Sequence, residues 1–111
     1  MEKVIKDGMV AVIYSKGFGA GWYSGNESVK ECLFCPQIVN LIIANGEGNE
    51  LDSNVVKRIE EIACESWSGF YPGGARDLTI GWVKEGHQFE IREYDGKESL
   101  IRLGECQYIT A

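Results

Sequence analysis

A single α+β domain, a mostly antiparallel β-sheet carrying two helices, is the fold class this sequence predicts, and three observations predict it. Met9 to Tyr14 is a continuous apolar run with β-branched members, as a strand covered on both faces requires. Val55, Val56, Ile59, Ile62, Ala63 and Trp67 recur at helical spacing. From Leu78 onward apolar and polar residues alternate between turn signals. With 111 residues, 44% of them hydrophobic, the chain is long enough for one core and too short for two.

In chain order, Lys3 to Lys6 and Met9 to Tyr14 read as short strands separated by the turn Asp7-Gly8. Gly17 to Gly25 follows at once, alternating glycine with Phe18, Trp22 and Tyr23. Such a segment has too much conformational freedom to fold alone, so neighbouring protein or a flat ligand must pin it. Its spacing lacks the terminal Gly-Lys-Ser/Thr of a phosphate-binding P-loop and the third glycine of a dinucleotide fingerprint. Asn26 to Phe34 is ambiguous. Pro36 suits a first helical position, and Ile38, Val39, Leu41, Ile42 and Ile43 fit a short buried helix ending at Asn45-Gly46.

A second helix starts at Asp52 or Ser53, either of which can accept from free N–H groups, and Lys57, Arg58, Glu60, Glu61 and Glu65 make its polar face. Trp67 to Asp77 then forms a second glycine-aromatic loop, where Pro72-Gly73 predicts a tight turn with Gly73 at positive φ. Together the two loops hold seven of the fourteen glycines and six of the twelve aromatics, a concentration that points to a stacking site or a subunit contact. The last third reads as a β-meander: Leu78 to Val83, Phe89 to Arg92 before the turn Tyr94-Asp95-Gly96, Leu100 to Leu103 and Cys106 to Thr110. At Asp95-Gly96 a two-residue turn sets Glu93 opposite Glu98, so the expected register is a three-residue turn with Arg92 opposite Glu98 and Phe89 level with Ile101.

A net charge of −6 argues against a nonspecific binder of nucleic-acid polymers, which needs a basic face. No apolar run approaches the roughly 18 residues that span a bilayer, and no basic-apolar leader opens the sequence, so the expected compartment is a cytoplasm with free thiols. Cys32-Leu33-Phe34-Cys35 has CxxC spacing, but Cys64 and Cys106 lack a matching second knuckle, and Cys35 rather than Cys32 sits at the helix start where a redox thiol is activated. His87 is the sole histidine and reads as a turn residue, and no serine lies in a GxSxG context. Glu90, Glu93, Asp95 and Glu98 read as surface charges paired with Arg92, Lys97 and Arg102. Arg76 differs, lying inside the second loop beside Asp77, where it either forks onto a phosphate or pairs locally with that aspartate.

The strings Tyr14-Ser15-Lys16-Gly17-Phe18-Gly19-Ala20-Gly21-Trp22, Pro36-Gln37-Ile38-Val39, Gly73-Gly74-Ala75-Arg76-Asp77-Leu78 with Trp82-Val83, and Phe89-Glu90-Ile91-Arg92-Glu93-Tyr94-Asp95-Gly96 resemble a family of small bacteriophage proteins that includes Thoeris anti-defence proteins. The resemblance implies a sponge in the host cytoplasm that binds nucleotide second messengers of bacterial immunity, chiefly cyclic ADP-ribose isomers, without cleaving them. Cys35 stands where that pattern leads one to expect a helix-capping aspartate, and the resemblance supports no metal role for the cysteines. Phe18, Trp22 and Tyr71 are the candidates for stacking, Arg76 for phosphate, Asp77 for orienting Arg76 or accepting from a ribose, and Ala20 and Gly21 for backbone N–H donation. No catalytic residue, metal or cofactor is expected. Tight binding by so small a domain favours a homo-oligomer that encloses its ligand. The alternatives are a module that inhibits a host protein through the same aromatics and, third, a small nucleotide-acting enzyme.

Overall fold

Alternation along one strand sets the layering of this protein, seen in a computed structural model that describes residues 1–103. The strand β2 (Met9–Ser15) pairs antiparallel with β1 (Ile5–Lys6) on one side and with β3 (Leu78–Lys84) on the other. Val10, Val12 and the facing Val83 point to one face, whereas Ala11, Ile13, Leu78 and Ile80 point to the opposite one. Both faces are covered, which is why the run is apolar throughout.

Helices α1 (Pro36–Asn45) and α2 (Ser53–Ser66) cover the second face with Ile38, Val39, Ile42, Ile59, Ile62 and Ala63. Pro36 opens α1, and Gly46 closes it at φ 104° while its N–H bonds back to the carbonyls of Ile42 and Ile43. Asp52 caps α2 by accepting from the Asn54 N–H at 2.9 Å. The helix ends at Ser66, one residue before the expected Trp67. The ambiguous stretch before Pro36 holds a 3-10 turn at Lys30–Leu33.

The first face is covered by a hairpin, β4 (Phe89–Tyr94) with β5 (Lys97–Arg102). The expected meander is therefore interrupted: β3 pairs with β2, and β4 pairs with β5 alone. Gly81 makes this layering possible, because a Cβ there would collide with the Leu100 side chain lying over it. The first strand is also shorter than Lys3–Lys6, although Val4 still accepts from the Ala11 N–H at 2.9 Å. The strand expected at Cys106–Thr110 lies outside the described residues.

The expected hairpin register is overturned. Asp95 (φ 50°) and Gly96 (φ 83°) form a two-residue turn of the type that matches strand twist, and Glu93 faces Glu98, Arg92 faces Ser99 and Phe89 faces Arg102. The like-charge penalty that argued against this register is absent because the two carboxylates part company. Glu93 accepts from the Gly96 N–H at 2.9 Å at the exposed tip, and Glu98 turns into the protein.

Candidate functional site

Glu98 is 1% exposed and organises the first glycine-aromatic loop. Its Oε1 accepts from the Ser15 N–H at 2.8 Å, and its Oε2 accepts from the N–H groups of Trp22 at 3.0 Å and Ser24 at 2.7 Å. A carboxylate buried among backbone donors replaces its hydration shell with charge-assisted bonds, and successive N–H groups converging on an anion form a nest. The loop is thus an anion-binding loop whose anion is supplied by the hairpin. Gly19 adds a second tie by donating its N–H to the Asp95 carbonyl at 2.7 Å, and a Cβ on Gly96 would strike the Gly19 carbonyl.

A second clamp joins the two loops. Asn26, 8% exposed, donates from Nδ2 to the carbonyls of Trp22 at 2.8 Å and Tyr71 at 2.9 Å, and its Oδ1 accepts from the Tyr71 N–H at 2.9 Å. The loops then touch backbone to backbone, since a Cβ on Gly74 would overlap the Gly21 carbonyl. Gly74 takes φ −90° and ψ 5°, and the Ala75 N–H bonds to the Pro72 carbonyl at 3.1 Å. The turn predicted with Gly73 at positive φ is therefore one residue later, with neither Gly73 nor Gly74 at positive φ, and clearance rather than φ demands glycine here. Gly17 serves the same end: a Cβ would collide with the Asp77 carboxylate, which lies directly over it.

These clamps bring four of the seven sequence-predicted site residues, Phe18, Ala20, Arg76 and Asp77, to the border of one depression of about 280 Å³, closed below by Val56 and Glu60 of α2. A neighbouring depression of about 430 Å³ shares Val56, Glu60 and Arg76 and runs past Ser53 to Glu50. Phe18 is 66% exposed, with the Lys97 Nζ 5.3 Å from its ring centroid. Arg76 is exposed and makes no ion pair among the described residues, so the local pairing with Asp77 is not formed. Tyr71 is exposed and packs over Gly73 at the same rim without lining the depression.

Trp22 and Gly21 are corrections. Trp22 is fully buried, its Nε1 donates to the Cys32 carbonyl at 2.9 Å, and its ring meets Phe70 edge-on at 4.8 Å, so it stacks in the core. Gly21 is buried beneath Gly74, and the N–H groups that donate inward to Glu98 are those of Trp22 and Ser24 in the loop and Ser15 before it, while Gly19 donates to the Asp95 carbonyl. Glu98, expected on the surface, is the residue that sequence reasoning missed, with Asn26 and Lys97.

The thiols of Cys32, Cys35 and Cys64 are unbridged, and no cluster of three metal-ligating side chains occurs among the described residues. Burial, reinforced by the Glu98 carboxylate, pushes the Cys32 thiol up from 9.0 to about 12, which keeps it protonated and unreactive near neutrality. His87 is half-buried rather than solvent-facing, and its Nδ1 has no partner among the described residues. No helix among the described residues is long and apolar enough to cross a membrane. No family model matches this chain, and neither a curated protein nor a solved structure shows significant similarity to it.

Proposed function

We propose that this protein is a non-enzymatic sponge that sequesters a nucleotide second messenger, with cyclic ADP-ribose isomers as the leading ligands and cyclic oligonucleotides next. The observation that supports this reading is the convergence of an exposed aromatic ring, an exposed guanidinium and a carboxylate, from Phe18, Arg76 and Asp77, on one depression. Each group suits one part of a nucleotide: the ring stacks on a base, the guanidinium forks onto a phosphate, and the carboxylate accepts from ribose hydroxyls. Lys97, above the Phe18 ring, adds a second cation. The adjoining depression, which shares Arg76, gives room for a ligand with two nucleoside halves joined through phosphate. The setting is a host cytoplasm, and because the depression is only half-enclosed, a second copy of the chain completes the enclosure.

The test is a thermal melt against cyclic ADP-ribose isomers and cyclic di- and trinucleotides. One member raises Tm by mass action, R76A abolishes most of the shift, and heating releases that ligand chemically intact. No shift across the panel overturns the proposal, and a chemically altered ligand reassigns the protein to an enzyme. The exposure of Phe18, Tyr71 and Tyr94, at 66%, 59% and 74%, favours a second reading in which the aromatics contact a host protein.

A further inference from the structure

We infer that Glu98 is a positioning residue, an internal anion that fills the donor nest of the first glycine-aromatic loop and thereby holds Phe18 and Ala20 at the edge of the depression. The link to ligand binding rests on the function proposed above, but the positioning itself does not.

Three features carry the inference. The loop has no apolar anchor between Lys16 and Gly21, so its path through Phe18 is set by what grips either end. Glu98 grips both: Oε1 takes Ser15 immediately before the loop, and Oε2 takes Trp22 and Ser24 at its far side. The carboxylate arrives on a rigid hairpin whose turn also fastens the loop's middle through the Gly19–Asp95 bond. A bound phosphate therefore does not enter this nest, and an incoming anion must be met by side chains at the rim. An aspartate cannot replace Glu98, because one methylene less cannot reach donors on both sides.

Amide hydrogen exchange on the ligand-free protein tests this directly. In E98Q the side chain keeps one acceptor oxygen and turns an NH2 donor toward the other partner, so at least one of the Ser15, Trp22 and Ser24 amides exchanges about tenfold faster or more. The amides of Val12 in β2 and Ile59 in α2 change much less. In E98A all three loop amides accelerate, and sodium acetate slows them again with saturation, whereas sodium chloride at equal ionic strength does not. E90Q, on the same hairpin at a half-buried carboxylate that pairs with Arg92 instead of the loop, leaves them unchanged.

Unchanged loop amides in E98Q overturn the inference. So does acceleration by one common factor through β2 and α2, which marks general destabilisation. If E98A fails to fold, the residue-by-residue pattern in E98Q decides. The panel ligand that raises the wild-type Tm binds E98Q about tenfold more weakly, and equal binding refutes the positioning role. A wild-type protein that binds no panel member removes the proposed function while leaving the exchange result to judge Glu98 alone.

Discussion

Arg76 is exposed and makes no ion pair among the described residues, so its removal separates binding from stability. R76A weakens the nucleotide by about 10- to 100-fold, the value of a charge-assisted bond, and shifts unfolding free energy by less than about 0.5 kcal/mol. Isothermal titration and urea melts read the two quantities. Trp22 is the converse: W22A costs about 3–5 kcal/mol because it empties a fully buried site and orphans the Cys32 carbonyl, and a urea melt detects it before any ligand is added. Cys32 gives a pH dependence of fixed sign. Below pH 9 the folded and unfolded chains both hold the thiol proton. Between 9.0 and about 12 only the unfolded chain releases it, so stability falls as pH rises through that window, and C32A flattens the slope in urea melts from pH 8 to 11. At this scale the sequence marks Arg76 as a loop cation, and the structure places it at the border of the depression. The sequence was illegible for Glu98, because a glutamate on a hairpin reads as solvent-facing and its partners are backbone N–H groups, which carry no letter in the sequence.

At the scale of elements, the two helices were readable because their ends are written in side chains: Pro36 and Gly46 for α1, Asp52 for α2. The loops were readable as loops but not as a joined pair. Their junction is Asn26, and N26D at pH 7 destabilises at least as much as N26A despite equal volume, since a carboxylate oxygen then faces the carbonyls of Trp22 and Tyr71. Differential scanning calorimetry of the two variants checks the order. The register of β4 and β5 escaped because pair rules apply to side chains that remain on the strand surface, and Glu98 does not.

For the molecule as a whole, apolar patterning foretold that the strand Met9 to Tyr14 is buried on both faces, and the layers that bury it are helices on one side and a hairpin on the other. Pairing preference could not tell a meander from a hairpin folded across the sheet, since both satisfy the same alternation. The space over Gly81, filled by Leu100, is a tertiary feature without a local signature. The half-enclosed depression predicts that sedimentation of the liganded protein finds a homo-oligomer, and a liganded monomer of full affinity counts against enclosure by a second copy.

The grip of Glu98 on Ser15, Trp22 and Ser24 spans 83, 76 and 74 residues of chain. On a ribosome, the loop is made before its anchor, so the segment acquires its shape only after residue 98 clears the exit tunnel. Such long-range closure is slow relative to helix formation. The loop therefore takes its final shape only once the hairpin that carries Glu98 has been made.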